Sequence, residues 1–277
     1  MNSMTLRWKN GLSHALTLSY DDGIEADVRL IEIMQKYGLK GTFNLNSAIF
    51  NEKSGMNGDH HRRLSAEEAK ALYLPAGMEV AVHGAHHPHW ARMPRHACMA
   101  DILLDRINLE KIFGGVIRGA AYPYGNHSEM TVECLADAGI AYCRTTAATR
   151  AFTVPTDWLR MGATCHHNDP ALFELCDRFL DAPGAKAESK LFYLWGHSYE
   201  FGDRDNWNVI EAFAEKMGNR EDIYYATNIE IYDYVEAYRQ LRFSCDLSYV
   251  ENPTAKTVWF AIDGKTYEVG AGQALSL

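Results

Sequence analysis

The feature that most constrains the fold is an apolar run, residues 15–20, that ends in two adjacent carboxylates. Its alternating and β-branched residues indicate a buried strand, and Asp21, Asp22 and Gly23 form the turn that follows. Two carboxylates a few ångströms apart repel each other unless a cation lies between them or one keeps a proton. A divalent metal on one Asp would relieve that repulsion and leave the other free as a general base. The alternative is an ordinary surface turn, because Asp-Gly is a common turn pair.

Predicted strands and helices alternate through most of the chain. Residues 25–36 have a nearly helical hydrophobic period, and residues 41–46 alternate as a strand. Ser65-Ala66-Glu67-Glu68 has the form of a capping box that opens another helix. This succession predicts an α/β fold with a mainly parallel sheet, in which the polar residues collect at the carboxyl ends of the strands.

The last part of the sequence has a different pattern. From about Phe243 onward it consists of predicted strands, and residues 258–262 and 266–269 flank Asp263-Gly264-Lys265, a strong hairpin signal. We therefore predict a small C-terminal β appendage over residues 242–277. A structural role is the favoured interpretation of this appendage, and contact with a substrate is the alternative.

The composition of the chain argues against some classes of binding partner. The 277-residue chain has a net charge of −9, which argues against nucleic acid and anionic membranes, since both are bound by basic surfaces. Its six scattered cysteines include no CxxC pair, so we expect buried reduced thiols. Because no apolar stretch reaches signal-peptide or membrane-spanning length, we expect a cytoplasmic protein, although a chain that had lost its leader would look the same. The sequence does not indicate an oligomeric state.

Four histidines follow a second predicted strand, residues 78–82, within seven positions: His83, His86, His87 and His89. The i, i+4 spacing of His83 and His87 would let both imidazoles share a metal from one helical turn. Such a pair alone is more often two satisfied or surface histidines. Here the pair, like the two Asp residues, follows a buried strand, so both can meet at one sheet edge. Two imidazoles and a carboxylate form a common catalytic metal site.

With these residues in their order, the chain resembles the polysaccharide deacetylase family, also called the NodB homology family of carbohydrate esterases. Five motifs over about residues 13–200 carry the resemblance: Ser19-Tyr20-Asp21-Asp22-Gly23, His83-Gly84-Ala85-His86-His87-Pro88, Ala121-Tyr122-Pro123-Tyr124-Gly125, Asp157-Trp158, and Leu191-Phe192-Tyr193-Leu194-Trp195-Gly196-His197. The resemblance implies a distorted (β/α) barrel, with the catalytic domain over residues 1–241 and the β appendage over 242–277.

The resemblance also implies a role for each matched residue. Asp21 would be the general base and His197 the general acid. The backbone N–H of Tyr124 would stabilise a developing oxyanion. The other implied residues are the metal ligands Asp22, His83 and His87, a further catalytic residue Asp157, and the substrate-contacting side chains of Tyr124, Trp158 and Trp195. For the two tryptophans, a place in the buried aromatic core is an equally favoured interpretation.

The implied activity is metal-dependent removal of acetyl groups from an N- or O-acetylated carbohydrate, with Zn²⁺ as the expected metal and Co²⁺ or Ni²⁺ as alternatives. One alternative is a hydrolase of a small-molecule amide on the same scaffold. A third is an inactive, carbohydrate-binding relative.

One departure from the family pattern concerns the general base. Ala121 stands where the family often has an arginine that orients the base, so a cation from another element would have to replace it. Arg144 is the preferred replacement and Arg160 the other candidate. His166 and His167 form a second histidine pair, expected to be structural or to face substrate, whereas His86 and His89 are expected to have no role.

Overall fold

The computed structural model describes residues 3–54, 61–181, 184 and 186–277. The strands in chain order are β1 (Met4–Arg7), β2 (His14–Asp21), β3 (Gly41–Leu45), β4 (Lys53–Ser54), β5 (His61–Arg62), β6 (Glu79–Val82), β7 (Gly119–Ala121), β8 (Tyr142–Ala148), β9 (Met161–Ala163), β10 (Cys165–His166), β11 (Lys190–Gly196), β12 (Ile223–Tyr225), β13 (Arg242–Phe243), β14 (Tyr249–Glu251), β15 (Val258–Ile262), β16 (Lys265–Val269) and β17 (Ala274–Ser276). The helices are α1 (Asp27–Lys36), α2 (Ala66–Tyr73), α3 (Arg95–Phe113), α4 (Glu129–Asp137), α5 (Leu172–Leu180), α6 (Tyr199–Asp203), α7 (Trp207–Met217) and α8 (Asn228–Arg239).

The main sheet is parallel and closes on itself. Its strand order is β10-β11-β2-β3-β6-β7-β8-β9, and β12 pairs with the first residues of β2. The two edge strands, β9 and β10, follow each other directly in the chain. Between them, the backbone N–H of Thr164 donates to the Tyr193 carbonyl of β11 at 2.8 Å. The sheet is therefore a distorted (β/α) barrel, as predicted.

The residues of the barrel strands alternate between two faces, as the two-residue period of a strand requires. Phe192 and Leu194 of β11 are buried in the main apolar core with Leu30 of α1 and Phe213 of α7. Tyr193, between Phe192 and Leu194, belongs to a separate buried cluster. The predicted capping box is confirmed at the start of α2, where the Ser65 hydroxyl accepts from the Glu68 backbone N–H.

The C-terminal residues from Arg242 onward form five strands, and the N-terminus adds one more to them. β15 and β16 make the predicted hairpin, and both residues of its turn, Asp263 and Gly264, have positive φ angles of 50° and 88°. β15 also pairs with β1, so the first strand of the chain completes this sheet. A second small sheet, β13-β14-β17, lies beside it. The sequence pattern had not indicated the part taken by β1.

All six cysteines are free, and five are buried, as expected, whereas Cys245 is exposed. Within the described part of the chain, no helix combines the length and apolar character needed to cross a membrane.

Candidate active site

A cavity of about 410 Å³ opens at the carboxyl ends of the barrel strands. Seven residues selected from the sequence line it: Asp21, Asp22, His83, His87, Tyr124, Trp195 and His197. They come together because the carboxyl ends of parallel strands share one edge of the barrel.

Asp21 is the last residue of β2 and is almost fully buried. Its Oδ1 accepts a hydrogen bond of 2.8 Å from Asn44 Nδ2, and its Oδ2 contacts the Arg144 guanidinium. Burial alone would raise the pKa of Asp21, but the charge of Arg144 and the neighbouring imidazoles outweigh burial and lower it to about 2. Asp21 is therefore held as a carboxylate.

Arg144 takes the place of the motif arginine, as the sequence analysis preferred. Ala121 of β7 and Arg144 of β8 are direct partners in the parallel register, so the guanidinium comes from the neighbouring strand at the same level. The guanidinium also lies 4.3 Å from the centre of the Trp195 ring. Its contacts fix the cation beside Asp21.

Asp22 follows the strand in a left-handed conformation, with φ at 78°. Its backbone N–H donates to the Asn44 carbonyl at 3.0 Å, which anchors the turn. Arg63, a buried residue that the sequence analysis did not select, donates from Nη2 to Asp22 Oδ1 at 3.2 Å. Burial acts to raise the pKa of Asp22, but its electrostatic interactions with the neighbouring histidines and with Arg63 outweigh burial and lower the pKa.

His83 comes directly after β6 and is oriented by two hydrogen bonds. Its Nδ1 lies 2.9 Å from the Ala121 carbonyl, and its backbone N–H donates to Asp105 Oδ2 at 2.9 Å. Since a carbonyl can only accept, Nδ1 carries the proton and Nε2 keeps its lone pair. His87 lies in a tight turn and has φ at 51°, so the helical turn expected from the i, i+4 spacing is wrong.

The three predicted metal ligands nevertheless converge. One ligand atom each from Asp22, His83 and His87 lies within 4.8 Å of the others. Burial lowers the pKa of both histidines, to about 4 for His87, so both imidazoles are neutral and can coordinate. A carboxylate and two neutral imidazoles fit a catalytic zinc ion, with positions left open for water and substrate.

His197 stands on the other side of Asp21. Its Nε2 lies 3.8 Å from Asp21 Oδ2, and its Nδ1 lies 2.7 Å from Glu200 Oε1. Burial acts to lower the pKa of His197, but the Glu200 hydrogen bond and the charges of both aspartates outweigh it and raise the pKa. Glu200 was not selected from the sequence, although its position three residues after the histidine is a signal for such a contact.

Tyr124 and Trp195 both lie at the cavity, as predicted. The Tyr124 ring is 48% exposed and stacks on His89, with centroids 3.7 Å apart, and it also contacts His87 at 4.4 Å. His89 therefore supports the wall formed by Tyr124, contrary to the expectation that it has no role. His86 also lines the cavity.

Asp157 and Trp158 are not brought to this cavity. Asp157 pairs with Arg160 at 2.9 Å and lines a separate cavity of about 270 Å³. Trp158 donates from Nε1 to Glu236 at 3.0 Å and packs edge-on against Tyr232, 5.1 Å away. The placement of these two residues at the site is therefore wrong, because their short helical turn packs against α8. Arg160, the second candidate to replace the motif arginine, lies there as well.

Tyr199 is a cavity residue that the sequence analysis missed. Its ring stacks on His61, with centroids 4.8 Å apart, and lies 5.2 Å from the ring of His197. The Nε2 of His61 is in turn 2.9 Å from Asp203 Oδ1. No short motif joins these positions, so only their packing identifies them.

Comparisons with known proteins support the family resemblance and the fold. The family model described as polysaccharide deacetylase matches residues 9–143. Among curated proteins, none matches the sequence.

Solved structures share the fold at low sequence identity. An allantoinase, Puue, has a TM-score of 0.62 at 15% identity, with 82% of this chain and 91% of that chain covered. A provisionally named polysaccharide deacetylase from Mycobacterium smegmatis has a TM-score of 0.60 at 16% identity, with 85% and 94% covered. A family 4 carbohydrate esterase from Streptomyces lividans, solved with acetate, has a TM-score of 0.50 at 16% identity, with 76% and 91% covered.

Proposed function

Because this chain belongs to the polysaccharide deacetylase family, we propose that it is a metal-dependent hydrolase that removes acetyl groups from an N- or O-acetylated carbohydrate. One observation carries the proposal. Asp22, His83 and His87 offer ligand atoms within 4.8 Å of one another, and the Asp21 carboxylate lies 3.8 Å from Nε2 of both His83 and His197. The proposed metal ligands, base and acid thus face one cavity.

Zn²⁺ is the proposed metal, with Co²⁺ and Ni²⁺ as alternatives. When bound, the ion would supply Lewis acidity, which makes water more acidic and polarises an acetyl carbonyl. Asp22, His83 and His87 would hold it, and the neutral state of both imidazoles suits that task.

Asp21 takes the proton from the attacking water. Its low pKa keeps it ionised, and the contacts from Arg144 and Asn44 hold its two oxygens in place. A base held in this way needs little reorganisation when the substrate binds.

His197 delivers a proton to the leaving amine or alcohol from Nε2, the nitrogen that faces Asp21. The backbone N–H of Tyr124, at the cavity wall, stabilises the negative charge that develops on the acetyl oxygen. Trp195 lines the same cavity and contacts the substrate there.

The test is acetate release from N-acetylglucosamine oligomers, acetylated xylan and free acetylated sugars. We expect activity to disappear with a chelator and to return with Zn²⁺ or Co²⁺. Asp21→Asn should be inactive, since the base is lost while the ligands remain. Full activity of metal-free protein, or normal deacetylation by Asp21→Asn, would contradict the proposal.

A second candidate is the hydrolysis of a small-molecule amide. The Puue allantoinase shares this fold over 82% of the chain, which supports adding small cyclic and linear amides to the panel. Turnover of those amides without acetate release from any sugar would favour this candidate.

An inactive relative is the third possibility, and Ala121 was the one feature that pointed to it. The contact between Arg144 and Asp21 supplies the cation whose absence raised that possibility. Sugar binding without turnover of any substrate in the panel would support an inactive protein.

A further inference from the structure

Glu200 is surrounded by imidazoles. Its Oε1 lies 2.7 Å from His197 Nδ1 and 3.4 Å from His166 Nε2, and its Oε2 lies 3.4 Å from His167 Nε2. Asn168 Nδ2 donates to the same Oε2 at 2.5 Å. We call Glu200, His166 and His167 the Glu200 cluster. One ligand atom from each lies within 4.8 Å of the others, so the cluster has the composition of a metal site.

The protonation of His166 argues against a metal in the Glu200 cluster. The backbone N–H of Asn168 donates to His166 Nδ1 at 3.1 Å. Because that N–H can only donate, Nδ1 must accept, and the proton of the neutral ring is then on Nε2. His166 therefore presents an N–H to Glu200 where a metal would need a lone pair.

The contacts that surround the Glu200 carboxylate make it a fixed acceptor for His197. A carboxylate has two oxygens with about four acceptor positions, and His197, His166 and Asn168 direct donors at them. Glu200 lies on α6, three residues after His197, and its backbone N–H donates to the His197 carbonyl at 3.2 Å, so a single turn of the chain holds the two side chains together. A carboxylate at Nδ1 fixes the tautomer and the ring plane of an imidazole and leaves Nε2 facing the reaction.

We propose that Glu200 is the positioning residue of the general acid: it holds His197 with Nε2 directed at the leaving group, and His166 and Asn168 hold Glu200. This inference rests on the proposed function of the site. It gives the acid a carboxylate partner that the sequence motifs did not indicate, whereas Asp157, the further catalytic residue implied by the resemblance, lies in another cavity.

The test compares two leaving groups. An amine leaving from an N-acetylated sugar needs a proton, whereas the nitrophenolate of 4-nitrophenyl acetate leaves without one. For Glu200→Gln we expect kcat on the acetylated sugar to fall by roughly 10²-fold or more, the usual contribution of a general acid, with little change in KM. Activity on 4-nitrophenyl acetate should change little.

Matched variants separate positioning from a structural effect. Glu211→Gln, an exposed residue of α7 that pairs with Arg29, is the control and should behave as the unaltered protein. Glu200→Asp should recover part of the lost kcat because it restores the charge. In a His197→Ala background, Glu200→Gln should cause no further loss, since the group it positions is absent. Equal losses on both substrates, or an additive loss in that background, would overturn the proposal.

A measurement that does not need activity tests the same contact. The Nδ1–H of His197 should give a downfield proton NMR signal that is missing in His197→Ala, shifted in Glu200→Gln and unchanged in Glu211→Gln. Absence of this signal would overturn the inference even if the protein deacetylates sugars. If the signal is present but no substrate is hydrolysed, the positioning contact is supported and the proposed function fails.

Discussion

Two clusters at the same end of the barrel each contain one carboxylate and two imidazoles with ligand atoms within 4.8 Å: Asp22 with His83 and His87, and Glu200 with His166 and His167. The two clusters differ in the group that is hydrogen-bonded to Nδ1 of one of their histidines. His83 donates from Nδ1 to a carbonyl, which leaves the Nε2 lone pair free, whereas His166 accepts at Nδ1 and presents an N–H from Nε2. The same functional groups thus form a candidate metal site in one place and a hydrogen-bonded anchor in the other.

The comparison shows that ligand type and proximity do not define a metal site. The groups behind the ligands decide which atoms are free to coordinate. They also set the charge of the carboxylate: burial acts to raise the pKa of Glu200, but its interactions with His166, His167 and His197 outweigh burial and lower that pKa. The four predictions that follow test this difference, from the largest effect to the smallest.

The largest difference in zinc content and activity is expected between two variants that each remove one imidazole, one from each cluster. His83→Ala should lose its zinc on dialysis, and acetate release should fall by roughly a thousandfold or more, because a bound metal contributes several kcal/mol to the transition state. His166→Ala should keep one zinc per chain. Metal content by atomic spectroscopy, together with acetate release, measures both variants. Loss of zinc from His166→Ala would contradict the conclusion that the two clusters differ in metal binding.

A smaller effect, on zinc affinity, is expected from a residue that is hydrogen-bonded to a proposed metal ligand. Asp105, buried on α3, accepts the backbone N–H groups of His83 and Ser47. Asp105→Asn should weaken zinc binding by about 10–100-fold, as loss of a partner behind a ligand usually does. Competition with a chromogenic chelator measures the affinity. Glu110→Gln on the same helix is the control, and equal affinities for the two variants would contradict this account.

Glu79 is a buried carboxyl group whose hydrogen-bond donors are all neutral, and its pKa is therefore shifted in the opposite direction from that of Glu200. Glu79 accepts from the Tyr142 and Thr42 hydroxyls and from the Ile229 backbone N–H, and burial raises its pKa to about 7. A carboxyl whose pKa is raised on folding stabilises the folded state fully below its ordinary pKa and loses that contribution as the pH rises through about 7.

Between pH 5 and pH 8, the free energy of unfolding should therefore fall by on the order of 1–3 kcal/mol more in the unaltered protein than in Glu79→Gln. Urea unfolding at the two pH values gives the difference, and Glu211→Gln should follow the unaltered protein. Parallel losses in the unaltered protein and Glu79→Gln would show that Glu79 titrates normally.

The smallest effect is expected at the residue that a motif selected and the structure placed elsewhere. Trp158→Phe should change acetate release by no more than about twofold, because the ring packs on α8 outside the cavity and the substitution keeps most of its apolar contact. Trp195→Phe is the matched comparison and should lower activity further, since Trp195 lines the cavity and lies against Arg144. A larger loss of acetate release for Trp158→Phe would show that Trp158 contributes to the active site after all.

The sequence by itself determined the barrel and the reactive residues at its edge. Hydrophobic periodicity predicted strands that end at Asp21, at His83 and at His197, and the carboxyl ends of parallel strands must lie at one edge. Together with the family resemblance, this placed the proposed metal ligands, base and acid at one edge without coordinates. The i, i+4 spacing of His83 and His87 was less informative, because a tight turn brings them together instead of a helix.

Only the tertiary structure decided which of the candidate residues support these groups and added others that the sequence had not indicated. Arg144 reaches Asp21 because β7 and β8 pair in a register that sets it beside Ala121, and Arg63 reaches Asp22 from a distant segment. Asp157 was left outside by the packing of a single helical turn. Such contacts depend on the direction of side chains from strands far apart in sequence, and hydrophobic periodicity carries no information about that direction.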